Sequence, residues 1–399
     1  MKDVIRLAHF SDTHLGYRAT SRFDPETSRN QRTVDIDNAF TRTIDDIIAR
    51  EVDGVIHSGD VFHHARPTWQ AMRHFIRQMR RLEQAGIPTL VIAGNHDTPR
   101  VRTGGSAYSV LELALPAIRF VADYEDVHDV STFEALDLHV QAIPHGALTN
   151  PDPAVTSVVS GKRNLLVTHG AAPGVLPVGL FTEPGEQLLE GHLLDPDFDY
   201  IALGHIHQTQ QVTAEAWYAG STERCGWGDV TASPGYNLVS IAGPGDAVTV
   251  EHIDLPARPM IALKPVYGEG KQARDVVGAV IDQLKGIDDL SAMTRVEFRS
   301  VDRPMRREAQ SLLKREAGAY TWTLDIAPER ATFVADNGAT LSDDSTLDLH
   351  SLFIEFVASR RGTYRNEAFA AMLLDRGGRA LTDAMIAEEN PTPEDDALT

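Results

Sequence analysis

A single cysteine, Cys225, occurs among the 399 residues. This excludes a disulfide framework and a metal cage of thiolates, and it suits a reducing compartment. Cys225 itself is read as structural. Long apolar runs are also missing, since none approaches the ~20 residues that a membrane helix requires. Residues 1–10 carry Lys2, Asp3, Arg6 and His9 where a secretory signal would be apolar. A cytoplasmic chain without membrane association is the expectation. Positive charge is scarce, with 37 Lys and Arg against 57 Asp and Glu and a net charge of −20. The deficit is uneven: residues 1–110 hold 15 basic and 13 acidic side chains, and the remainder hold 22 and 44. A field of that sign repels polyanions, so a nucleic acid would have to be held by local basic clusters, metal ions or a partner protein.

What is present is a globular composition, 42% hydrophobic and 24% charged, long enough for two or three domains. Short apolar runs at residues 4–8, 54–56, 89–93, 165–168 and 200–203 predict strands buried on both faces. Ile36, Phe40, Ile44, Ile47 and Ile48, and then Met72, Phe75, Ile76, Met79 and Leu82, recur at helical spacing between the first three runs. Gly86 and Pro88 stop the second helix. Strands at 138–143, 210–218, 236–241 and 247–253 lack intervening helices. The pattern predicts an α/β (α+β) fold in which mixed sheets are flanked by helices. Pro256 and Pro259 mark a boundary, giving a main domain over 1–255 and a small α+β domain over 256–330. Residues 331–399 are read as a linker, C-terminal helices and an acidic tail. A helix over 347–361 would place Leu349, Leu352, Phe353, Phe356 and Val357 on one face, and residues 383–399 carry six acids and no base.

The chemistry follows the buried runs. After the first come Asp12 and His14, after the second Asp60 and His63, and after the third Asn95, His96 and Asp97. The fourth ends in His169, and the fifth leads to His205 and His207. Ligands of α/β sheets gather at the carboxyl ends of strands. Asp12, His14, Asp60, Asn95, His169, His205 and His207 exceed what one tetrahedral zinc needs. They suffice for two ions if one carboxylate bridges, an arrangement that activates water and neutralises a reacting phosphoryl group. Nitrogen and oxygen donors suit manganese, iron or zinc alike.

In this order, Asp-x-His, Gly-Asp, Gly-Asn-His-Asp, His-Gly and Gly-His-x-His resemble the calcineurin-like metallophosphoesterase superfamily. Ser11-Asp12-Thr13-His14-Leu15-Gly16, Gly59-Asp60-Val61-Phe62-His63, residues 94–99 and Tyr218-Ala219-Gly220-Ser221-Thr222-Glu223-Arg224 look like its SbcD branch, the bacterial counterpart of the Mre-eleven DNA repair nuclease. The likeness spans residues 1 to about 255, reaching the small domain by placement and the tail by general expectation. It implies a layered metallophosphoesterase sandwich, a capping domain, and C-terminal helices that dock on an SbcC-type ATPase. The implied activity is manganese-dependent hydrolysis of DNA, 3′ to 5′ on duplexes and endonucleolytic on single strands, by a nucleoid-associated homodimer acting in repair and recombination. Asp12, His14, Asp60 and His207 would hold one metal, and Asp60, Asn95, His169 and His205 the other. His96 would stabilise the transition state or protonate the leaving 3′ oxygen, with His63 helping to place the phosphate.

Plainer readings stand beside these. His9 and His57 lie within strands and read as satisfied core residues or partners of ligands. His64, His74, His128, His139, His145, His192, His252 and His350 read as surface or packing residues. Asp97 either orients a histidine or caps its turn. Arg18, Arg22, Arg66, Arg100 and Arg102 follow the metal loops, where a phosphate backbone would approach, whereas Arg73, Arg77, Arg80 and Arg81 read as a solvated helical face. Two other functions fit the pattern: a phosphoesterase for small nucleotides or phosphoproteins, and a non-catalytic adaptor that binds an ATPase coiled coil.

Overall fold

A computed structural model describes residues 3–101, 105–124, 128–150, 158–175, 187–194 and 197–327. The anticipated C-terminal helices, the acidic tail and Arg102 lie outside the described residues. The chain divides into two compact units, residues 1–258 and from Pro259 onward.

In the first unit, β1 (Ile5–Phe10), β2 (Gly54–His57), β3 (Thr89–Ile92) and β4 (Ile118–Val121) pair in parallel. α1 (Gln31–Ala49), α2 (Trp69–Gln84) and α3 (Tyr108–Ala114) fill the crossovers. Asn30 caps α1 by accepting the Arg32 N–H at 3.1 Å, and the Thr68 hydroxyl caps α2 by accepting that of Ala71 at 3.2 Å. A second six-stranded sheet contains β5 (His128–Val130), β6 (Leu138–Ile143), β7 (Arg163–His169), β8 (Tyr200–Gly204), β9 (Gln210–Gln211) and β10 (Ala216–Tyr218). Between β6 and β7 lies a single helical turn, α4 (His145–Leu148). β11 (Gly235–Ile241) and β12 (Thr249–Asp254) then add antiparallel strands to the first sheet, whose order is β12-β11-β1-β2-β3-β4. Both sheets are mixed and helices flank them.

The alternation of side chains builds the layers. From β1, Ala8 and Phe10 join the core under α1 and α2, with Ile36, Phe40, Phe75 and Met79. Ile5 and Leu7 point the other way and meet Val140, Leu165, Val167 and Ala202 of the second sheet. On that sheet's far face Leu166, Ile201, Leu203 and Tyr218 form a further core with Leu148 and Leu193. Continuous burial of β2, β3, β7 and β8 follows from this placement. The run expected over 210–218 is instead a tight hairpin, because the Thr213 hydroxyl accepts the Glu215 and Ala216 N–H groups and turns the chain.

In the second unit, β13 (Met260–Ala262), β15 (Met293–Val296) and β17 (Thr323–Ile326) form a parallel sheet, and β14 (Val266–Tyr267) pairs with β16 (Phe298–Arg299). α5 (Ala273–Leu284) buries Val276, Val277, Val280 and Leu284, and α6 (Arg303–Glu316) buries Leu312 and Leu313. Among the described residues, no helix is long and apolar enough to cross a membrane.

Candidate metal centre

The loop after β1 runs alongside the loop after β2. Asp12 N–H donates to the Gly59 carbonyl at 3.0 Å, His14 N–H to that of Asp60 at 3.1 Å, and Leu15 N–H to that of Val61 at 2.9 Å. This pairing carries the first two polar motifs into one place. Asp12, His14, Asp60 and His205 all adopt positive φ, at 51°, 42°, 56° and 106°. Such backbone costs on the order of 1–3 kcal/mol per residue outside glycine and persists only where its surroundings impose it. Glycine is required where the loops close. A Cβ on Gly94 would overlap the Asp60 carboxylate and main-chain nitrogen, and one on Gly59 would overlap the His169 ring.

All seven predicted N/O side chains converge. Donor atoms of Asp12, Asp60 and His169 lie within 4.8 Å of one another. His14 Nε2 is 3.0 Å from His207 Nε2 and 3.7 Å from Asp60 Oδ2. His169 Nε2 is 3.5 Å from Asp60 Oδ2 and 2.9 Å from Asn95 Oδ1, which also lies 3.3 Å from His205 Nδ1. His205 N–H reaches Asp12 Oδ2 at 3.1 Å. The Ser11 hydroxyl bonds the same carboxylate.

The electrostatics of the pocket call for a cation. His169 Nδ1 donates to the Ser58 carbonyl at 2.8 Å, so Nε2 is the atom turned towards the oxygens of Asn95 and Asp60. Burial alone would lower the His169 pKa, but the Asp60 and Asp12 charges outweigh it and push it up to about 9. Burial pushes Asp60 up as well, and His169 and His96 reverse that and hold it well below the usual carboxylate range. Burial raises Asp12 and drives His14 well below the ordinary imidazole value. Two buried carboxylates thus draw in a proton where a divalent ion would supply positive charge, and the neutral His14 ring is in the form that ligates. The donor set fits divalent metals.

His96 sits at the rim. Its N–H donates to Asp60 Oδ1 at 2.9 Å, and its Nδ1 lies 2.8 Å from the His63 carbonyl. The His63 ring stacks on that of His96 with centroids 5.1 Å apart, and its Nδ1 is 3.4 Å from His14 Nδ1. Asp97 caps rather than orients: it accepts the N–H groups of Val61, Phe62 and Gly94 at 2.9, 2.9 and 3.1 Å, locking two loops together. Arg18, Arg22, Arg66 and Arg100 are exposed on the loops beyond β1, β2 and β3.

Several residues carry more than their sequence context announces. His9 bridges the Tyr200 hydroxyl at 2.8 Å and the Ser58 hydroxyl at 2.9 Å, and His57 meets the Thr13 hydroxyl at 3.1 Å. Both stay neutral because burial pushes each down to about 3. His145 is a packing residue, buried with its ring centroid 6.5 Å from that of His169. Cys225, read as structural, brings its sulfur within 4.8 Å of ring nitrogens of His14 and His207. Asp229 is the residue missed outright: its Oδ2 lies 3.0 Å from His207 Nδ1. The only hint was an acid shortly after the Tyr218–Arg224 motif.

Residues 5–209 match the family of calcineurin-like phosphoesterases. The chain is similar to proteins named DNA double-strand break repair protein Mre11 from several archaea. That of Haloferax volcanii is 34% identical over 64% of this chain and 53% of its own length. That of Saccharolobus solfataricus is 31% identical over 53% and 52%. That of Methanococcus maripaludis is 26% identical over 68% and 73%. The chain thus spans about half the length of the first two relatives.

Proposed function

Because the chain belongs to the calcineurin-like phosphoesterase family, we propose that it is a manganese-dependent DNA nuclease, the catalytic subunit of an SbcCD-type repair complex. The convergence of seven N/O side chains from five strand ends on one pocket carries this reading, and the names of the archaeal relatives direct it towards DNA. Asp12, His14, Asp60 and His207 would hold one ion, and Asp60, Asn95, His169 and His205 the other. When bound, such a pair supplies charge to neutralise a reacting phosphoryl group and a water of lowered pKa. Asp60, between the two groups of ligands, sets their spacing.

His96 serves as the proton carrier for the leaving 3′ oxygen. The 2.8 Å contact of its Nδ1 with the His63 carbonyl orients the ring for that proton transfer. His63, stacked against it, steadies the ring and helps place the phosphate. Arg18, Arg22, Arg66 and Arg100 would contact the nucleic-acid backbone, and Arg102 joins them by sequence position. Trp69 on α2 and Val110 and Leu113 on α3 are exposed at 83%, 49% and 85%, and such apolar side chains favour a homodimer through these helices. The amphipathic stretch at 347–361 is the proposed docking element for the ATPase.

The test is digestion of end-labelled duplex DNA with manganese, alongside metal analysis. His96→Ser should keep its metals and lose ~10²–10⁴-fold in cleavage rate, whereas Asp60→Asn should lose both. Normal cutting by His96→Ser overturns the catalytic assignment. Turnover of small phosphodiesters with duplex ends left intact would favour a small-nucleotide phosphoesterase, to which a net charge of −20 is natural. An inert, metal-loaded protein would point to an adaptor.

A further inference from the structure

The turn Trp227–Asp229 follows the Tyr218–Arg224 motif and lies behind His207. Asp229 Oδ2 is the acceptor of three donors: the Cys225 N–H at 2.8 Å, the Gly226 N–H at 3.0 Å and His207 Nδ1 at 3.0 Å. The two side chains are only 14% and 17% exposed, so water competes weakly for the contact. The turn cannot drift away, because Arg32 donates to the Arg224 carbonyl and the Tyr17 hydroxyl to that of Cys225. Both anchoring side chains are buried.

We propose that Asp229 is a positioning residue that fixes the tautomer and orientation of His207. A carboxylate only accepts hydrogen bonds, so the proton of the neutral ring resides on Nδ1. Nε2 then carries no proton and offers its lone pair on the side of His14 Nε2, 3.0 Å away. Capping the turn would need only the two backbone donors; the bond to His207 is additional. A carboxylate behind a ligating imidazole raises its basicity and holds its plane, and losing one typically costs ~10–100-fold in metal affinity. The inference rests on the metal-centre reading and adds a specific asymmetry to it. Only the ion on the His14–His207 side depends on Asp229, whereas His169 takes its Nδ1 acceptor from the Ser58 carbonyl.

The test uses the full chain and two variants. Asp229→Asn keeps a neutral acceptor for the turn and for His207, and Asp229→Ala removes it. Manganese binding by calorimetry should resolve two events in the wild type. Asp229→Ala should weaken one of them by ~10–100-fold and leave the other unchanged, with Asp229→Asn in between. In metal-free protein with ¹⁵N-labelled histidine, His207 should carry its proton on Nδ1 in the wild type and in Asp229→Asn, and exchange between nitrogens in Asp229→Ala. Equal weakening of both sites, or an unchanged tautomer in Asp229→Ala, would reduce Asp229 to a turn cap and overturn the proposal. A wild type that binds no manganese would instead end the metal-centre reading, and the tautomer comparison would still decide the role of Asp229.

Discussion

Two clusters of buried charge in the first unit are built on opposite terms. Around Arg32, which is fully buried at the start of α1, opposite charges meet directly. Its Nη1 lies 2.6 Å from Asp35 Oδ2 and its Nη2 3.4 Å from Glu223 Oε1. Arg258 grips the same Asp35 through Nε at 2.6 Å and Nη2 at 2.8 Å. Around Asp60, by contrast, carboxylates and imidazoles crowd together, two Nε2 atoms face each other at 3.0 Å, and the backbone of four residues is held at positive φ. The first cluster matches its charges within itself, although the Arg32 Nε is buried without a hydrogen-bond partner. The second crowds like groups together on a strained backbone, a pattern that clusters at functional sites. Burial of charge alone does not distinguish them.

The sharpest way to break that contrast is to damage each cluster without metal. Arg32→Met strips a cation from two buried carboxylates and should cost ~3–5 kcal/mol of unfolding free energy, read by denaturant titration in EDTA. Asp60→Asn removes the partner of His169, which can shed its proton in response, so it should cost less than Arg32→Met, about 1–3 kcal/mol under the same conditions. Equal losses would show that both clusters are structural braces.

A smaller effect sharpens the comparison from the other side. Manganese at 100 times its Kd should raise the unfolding free energy by ~2.7 kcal/mol for each occupied site. The increment should appear in the wild type and persist for at least one site in Arg32→Met, which leaves every N/O donor in place but unties the turn that carries Asp229, and it should vanish in Asp60→Asn. Stabilisation of Asp60→Asn equal to that of the wild type would move the binding elsewhere on the molecule.

The two clusters were unequally legible in the sequence. Asp12, His14, Asp60, Asn95, His169, His205 and His207 could be read because each follows a buried apolar run: the ends of β1, β2 and β3 neighbour one another in the first sheet, those of β7 and β8 in the second, and the two sheets pack face to face. The strands themselves were legible for the same reason, with β1 running on to Phe10 because His9, a polar interruption, is satisfied by Tyr200 and Ser58. Arg32 gave no such sign. A charged residue in the first turn of a helix is ordinarily solvated, and its burial depends on Glu223 and Arg224, some 191 residues away. Asp229 and Cys225 were hidden likewise, since an irregular turn carries no periodicity from which to infer its direction. Contacts made by strand ends follow from a local rule, whereas contacts made by loops that fold back across the sheet do not.

Acid provides the finest test of the cluster around Arg32. Burial pushes the Asp35 carboxyl up, but the hydrogen bond from Arg258 and the charge of Arg32 outweigh it, so its pKa is below the ordinary value. A depressed carboxylate pKa contributes stability that is present above the unfolded value, near ~3.9, and that drains away as the pH falls through the folded value. Unfolding free energy measured from pH 5 downward should therefore fall more steeply in the wild type than in Asp35→Asn. Asparagine keeps the size and an acceptor for Arg32 and Arg258 but cannot titrate, so the gap between the two curves isolates the charge. Parallel curves would mean that Arg32 and Arg258 hold position 35 through hydrogen bonding alone, and that matched charge is not what sets this cluster apart from the one around Asp60.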